Sequence, residues 1–123
     1  MEIGAEWLVD AAGCRPDALV NLALLRDLFD RVIGDLDLHP LEEPRWHVFP
    51  ASGGVTGFVI LSESHLACHT YPEHGILTLN LYCCRARPEW PWHERLQEMF
   101  GATRVEVRAV QRSADITELS PWP

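Results

Sequence analysis

The sequence predicts an α+β chain, a two-layer α/β sandwich with a largely antiparallel sheet and helices on one face. Three observations predict it. A central block is rich in β-branched and aromatic residues and broken by short turns. A long run at helical spacing precedes it, and a second helix and an alternating strand follow it. At 123 residues the chain fits one domain, 1–123, with little room for a second core.

Taken in order, "GAEWLVDAAGC" reads as a short apolar strand running into a loop at Gly13. From Pro16 and Asp17, Leu22, Leu25, Phe29, Val32 and Leu36 recur at helical spacing against Asn21, Asp27, Asp30 and Arg31, with Asp17 as the expected N-cap. "LDLHPLEEPRWHVF" contains two prolines and is expected to form two short extended pieces around a turn, Trp46 to Phe49 being the better strand. After the loop "ASGG", the segments "VTGFVILSES", "HLACHTYP" and "ILTLNLYCC" read as neighbouring antiparallel strands. "RPEWPWHERLQEMFGA" supplies a loop and a helix ending near Gly101. In "TRVEVRAVQR", Val105, Val107 and Ala109 alternate with Arg104, Glu106 and Arg108 in a last, half-buried strand.

Composition narrows the function. The chain carries 18 acids against 10 bases, a formal charge of -8, and has no basic stripe for a phosphate backbone, so nucleic acid is an unsuitable partner. Apolar runs such as "GVTGFVIL" are far shorter than the roughly 20 residues that span a bilayer, and no basic segment precedes an apolar one at the N-terminus, so a cytoplasmic protein without a membrane is expected. Cys83 and Cys84 are adjacent among the four cysteines, which argues for reduced thiols rather than a disulfide framework.

The segment "SESHLACHTYPEH" gathers three histidines, a cysteine, two glutamates and two serines. Read as one continuous strand, residues 55–64 place Thr56 and Ser64 on one face; Thr78, Asn80, Tyr82 and Cys84 share a face of the later strand. Serine and threonine in strands commonly satisfy their own hydrogen bonds, and a buried cysteine commonly packs as a small apolar residue. Acid, hydroxyl and imidazole packed as "ESH", with a second histidine four positions on, exceed that explanation. Zinc is disfavoured, because His65, His69, Cys14, Cys68, Cys83 and Cys84 lack the spacing of a paired Cys-x-x-Cys or a His-Glu-x-x-His; no metal is expected. No Gly-x-Ser-x-Gly elbow surrounds Ser64 for a hydrolase.

The blocks "GVTG", "ESH" and "HTYPE", followed by the strand "LNLYCC", together resemble the signature of the bacterial pyruvoyl-dependent S-adenosylmethionine decarboxylases. The resemblance implies that the chain cuts itself between Glu63 and Ser64. The Ser64 hydroxyl attacks the Glu63 carbonyl, and elimination and hydrolysis leave a pyruvoyl group on the new N-terminus. It assigns Thr56 to assist processing, His69 to accept the Cα proton of Ser64, and Cys84 to protonate the decarboxylated substrate, with Glu63 and His65 lining the site. A ketone joined to an amide forms a Schiff base with a substrate α-amine and draws electrons from the breaking bond, as pyridoxal phosphate does. Trp7 and Phe49 are the aromatic candidates for stacking an adenosyl group. The family resemblance also implies a homodimer with the site near the subunit interface, and a place in spermidine biosynthesis.

This chain departs from the pattern at several positions. Glu6 stands where Gly-x-His would place histidine, and Asn80 stands in place of an aspartate; Arg85 follows Cys84, and Ser113 follows Arg112. These changes leave the self-processing residues in place but touch the substrate side, so an arginine or ornithine decarboxylase, or an inactive relative acting as a binding subunit, stay open.

Overall fold

The structure is a computed structural model and describes residues 1–115. Six strands form one sheet: β1 (Glu2–Ala12), β2 (Arg45–Val48), β3 (Val55–Ile60), β4 (Ser64–Tyr71), β5 (Ile76–Cys83) and β6 (Arg104–Ser113). Their spatial order is β2-β3-β4-β5-β1-β6, and every neighbouring pair is antiparallel. The helices are α1 (Pro16–Leu19), α2 (Leu22–Asp35) and α3 (Trp92–Phe100).

The period of two along each strand decides which residues reach the core. Trp7, Val9 and Ala11 of β1, Val55 and Val59 of β3, Leu66 and Cys68 of β4, and Leu77, Leu79 and Leu81 of β5 are all buried. They belong to one cluster with Leu25, Leu28, Phe29 and Val32 of α2 and Trp92, Leu96 and Phe100 of α3, so the helices cover this face and leave the other open. Each such Leu or Phe contributes about 1.5–3 kcal/mol through burial. Gly57 lets Trp46 lie flat across β3: a Cβ there would collide with the indole, which in turn packs on Phe29 at 4.7 Å. Trp90 and Trp92 also close the core, and Trp90 Nε1 donates to Asp35 Oδ2 at 2.8 Å.

Three expectations need correction. The first helix is broken: Asn21 is extended and its side chain accepts from Leu24 N at 3.1 Å, restarting the helix as α2, while Asp17 lies in the first turn of α1 behind Pro16 and caps nothing. In the proline segment only β2 forms a strand, with Pro40 making one isolated bridge to Leu61. The stretch 55–64 is not one strand. β3 ends at Ile60, Leu61 N donates to Ser64 O at 2.9 Å, and the chain reverses through Ser62 and Glu63. Parity restarts after that reversal, so Ser64 shares the side of Leu66 and Cys68, and Thr56 stands on the open face.

α3 ends at Gly101, whose φ of 71° is left-handed, as a C-terminal cap requires. Among the described residues no helix is long and apolar enough to cross a membrane.

Candidate active site

The open face carries the polar residues that the strands interleave with the core. Across β3, β4, β5 and β1 the register sets Thr56 beside His69, His69 beside Thr78, and Thr78 beside Asp10. Thr56 Oγ1 and His69 Nδ1 are 3.1 Å apart, and Asp10 pairs with Arg108 of β6 at 2.9 Å. A depression of about 200 Å³ opens here between His69, Thr78, Asn80, Asp10 and Arg108.

Two strand repeats away, His65 lies beside Tyr82 and Tyr82 beside Glu6. The His65 ring stacks on Tyr82 at 5.7 Å with an interplanar angle of 8°, and Phe58 flanks it at 5.8 Å. His65 Nε2 and Asn80 Oδ1 are 3.1 Å apart, Asn80 Nδ2 donates to Glu6 Oε2 at 2.6 Å, and Arg112 meets Glu6 Oε1 at 3.3 Å. Tyr82 has room because Gly4 faces it: a Cβ at Gly4 would sit 2.6 Å from the phenol oxygen.

At the end of the β4–β5 ladder lie Glu63 and Ser64, the pair between which the resemblance implies a cut. Ser64 pairs with Cys83 and is partly buried. The carbonyl oxygen of Glu63 accepts the main-chain N–H of Cys84 at 2.9 Å, and the Glu63 carboxylate pairs with Arg85 at 2.5 Å. Cys84 is exposed, whereas Cys14, Cys68 and Cys83 are buried; all four thiols are free. Burial raises the Cys14 and Cys83 thiols and pushes Cys68 up to about 12, leaving Cys84 as the accessible one.

The candidates therefore fall into separate groups. Ser64 and His69 are five residues apart on β4, about 16 Å at roughly 3.3 Å per residue, and Thr56 is paired across from His69 rather than near Ser64. Within one chain, Thr56 and His69 cannot touch the Glu63–Ser64 bond. Trp7 is 7% exposed on the helix-covered face, the opposite side from Glu6 and Asn80, which removes it as a stacking surface; Phe49, at 46%, stays available. Sequence reasoning noted Glu6 only as a departure and missed Arg112 and Tyr82 as its neighbours. Their grouping depends on the β1–β5 and β1–β6 pairings, which join residues about 75 and 105 positions apart and leave no local signal.

A family model described as S-adenosylmethionine decarboxylase matches residues 5–113. Among curated proteins, the S-adenosylmethionine decarboxylase proenzyme of Pyrococcus furiosus is 36% identical over 116 residues, covering 92% of this chain and 81% of the relative. The proenzyme of Thermococcus kodakarensis is 34% identical over 116 residues, with 92% and 78% covered. That of Geobacillus kaustophilus is 32% identical over 113 residues, with 89% and 87% covered. The crystal structure of the adenosylmethionine decarboxylase from Aquifex aeolicus superposes with a TM-score of 0.76 over 98% of both chains at 22% identity, a likeness of fold.

Proposed function

Because the chain belongs to the S-adenosylmethionine decarboxylase family, we propose that it is a proenzyme that cuts itself between Glu63 and Ser64 and then decarboxylates S-adenosylmethionine, supplying the aminopropyl donor for spermidine. The relatives' names favour this substrate over arginine or ornithine.

The observation that carries the reading is the hydrogen bond from Cys84 N to Glu63 O, 2.9 Å long. When the Ser64 hydroxyl attacks the Glu63 carbonyl carbon, negative charge gathers on that oxygen, where a donor is already aimed. The serine nitrogen leaves with a proton, an ester replaces the amide, loss of the Ser64 Cα proton expels the Glu63 carboxylate as the new end of residues 1–63, and water then hydrolyses the remaining imine, releasing ammonia and leaving a ketone. Ser64 fits a pyruvoyl precursor: it opens a strand directly after a reversal, partly buried, with the preceding carbonyl held. A pyruvoyl group at position 64, held beside Cys83 and the Glu63–Cys84 contact, would supply a carbonyl able to bind the substrate amine and act as an electron sink for decarboxylation.

The remaining roles belong to the chain's own side chains. Cys84, exposed beside Glu63, holds the proton that the product carbon needs. His65 and Asn80 line the floor, whereas Phe49 lies past the His69 end of the sheet and would offer its exposed ring to the adenosyl group from the second copy. Thr56 and His69, 3.1 Å apart and about 16 Å from Ser64 along β4, act on the Ser64 of a second copy. A homodimer built on the open sheet face supplies them. Phe58 at 39%, Ile60 at 46%, Tyr71 at 41% and Val110 at 41% exposure make that face unusually apolar for water. Four free thiols suit the reducing cytoplasm.

The test is the intact mass of the denatured protein. Two fragments split at Ser64, the second lacking the serine amine, are expected; a single uncut chain after prolonged incubation would move the reading to an inactive relative.

A further inference from the structure

We propose that Glu6 and Asn80 form a positioning pair that holds His65, the residue next to the cleavage point, in one orientation with its proton on Nε2. A carboxylate paired with a guanidinium can only accept hydrogen bonds, so Glu6, held by Arg112 at 3.3 Å, takes the amide of Asn80 at 2.6 Å as its donor. That contact turns the Asn80 carbonyl towards β4. The oxygen accepts only, so the His65 Nε2 that stands 3.1 Å from it must carry a proton. In the neutral ring Nδ1 is then the sole acceptor. Phe58 and Tyr82 on either side, at 5.8 and 5.7 Å, fix the ring plane.

A buried-core or solvated-surface role accounts less well for this chain of contacts. Glu6 is only 22% exposed at its side chain, and one set of contacts joins β6 to β4: Arg112 and Asn80 both donate to Glu6, and His65 Nε2 meets Asn80 Oδ1. The two residues at its centre are among the positions at which the sequence departs from the pattern it resembles, glutamate in place of histidine and asparagine in place of aspartate. They touch each other. An aspartate at position 80 would face the Glu6 carboxylate at hydrogen-bond distance, and like charges so close repel, so Glu6 favours an uncharged donor at position 80. Here the positions compensate as a pair.

The inference rests on the proposed decarboxylation only for its activity arm. Its first readout is the 15N spectrum of the His65 ring in the full-length protein, which reports the tautomer whether or not the chain is active. The Nε2-protonated form is expected to dominate in the wild type and to give way to a mixture in Glu6→Ala and Asn80→Ala, while Glu6→Gln, which still accepts from Asn80, keeps it. In the activity arm, Asn80→Asp should lower kcat/KM by about tenfold or more, and the double change Glu6→His/Asn80→Asp should recover most of the loss. Mixed tautomers in the wild type, or a spectrum unmoved by Glu6→Ala, would overturn the proposal. So would a double variant no better than Asn80→Asp alone. Should Glu6→Ala fail to fold, Asn80→Ala against wild type and Glu6→Gln gives the same comparison.

Discussion

The main-chain N–H of Cys84 donates to the carbonyl oxygen of Glu63 across 2.9 Å, placing the end of one strand against the bond at which its neighbour begins. A donor so placed serves only if a nucleophile arrives at the same carbonyl. Ser64→Ala removes that nucleophile and leaves the hydrogen bond. The variant is expected to remain one chain of 14.0 kDa by mass spectrometry and to release no CO2 from S-adenosylmethionine. An active Ser64→Ala protein would refute the pyruvoyl reading.

Cys84 and Cys83 differ in side, and the difference is measurable. The thiolate is the form that reacts, and burial disfavours it at Cys14, Cys68 and Cys83, so alkylation of the native protein at pH 8 should label Cys84 alone. Cys84→Ala retains the main-chain donor to Glu63, so cleavage should proceed while turnover falls by roughly 10²-fold or more, the range for a lost general acid. Loss of activity concentrated in Cys83→Ala would invert the assignment.

Cys68 makes the fold sensitive to alkali. Its thiol is held neutral to about 12, chiefly by burial, against 9.0 for a free cysteine. Between those values the unfolded chain releases a proton that the folded chain keeps, so the folded state binds more protons and its stability falls as pH rises. The contribution is fully present below pH 9 and should amount to a loss of about 1.4 kcal/mol by pH 10, one unit above the free value. Urea midpoints of wild type and Cys68→Ala taken from pH 8 to 10 test this. The variant should start lower because of the lost packing but decline less steeply, and parallel slopes would exclude Cys68 as the source.

What the sequence revealed and withheld follows the range of the interactions. The sandwich was legible because Val55, Val59, Leu66, Leu77, Leu79 and Leu81 alternate with polar neighbours, and α2 shows its apolar stripe. The break at Asn21 was missed because a capping side chain interrupts a helix without disturbing its periodicity. The face of Ser64 was misread for a related reason. "VTGFVILSES" alternates smoothly in letters, but Leu61 hydrogen-bonds forward to Ser64, and the chain turns where no glycine or proline announces it. The residues proposed for the chemistry stand out in the sequence by their motif, while the Glu6–Asn80–His65 contacts depend on strand pairings that only the folded chain displays.

The gap between Ser64 and His69 predicts how two defective chains should behave together. Ser64→Ala lacks the cleavable serine but keeps Thr56 and His69, and His69→Ala has the converse defect. If each site joins Ser64 of one copy to His69 of the other, neither homodimer works, but a mixed dimer contains one intact site and one doubly defective site. Co-expression at equal levels makes about half of the dimers mixed, and each has half its sites, so about one quarter of wild-type activity should return. Cleavage should appear only in the chain carrying His69→Ala, because that is the one that still has Ser64. Mass spectrometry of the mixture reads this directly, since the two chains differ in mass. Separate purification and late mixing should restore little if dimers exchange slowly. If co-expressed chains stay uncut and inactive, residues about 16 Å apart along β4 must meet by a rearrangement within one copy, and the two-chain site is wrong.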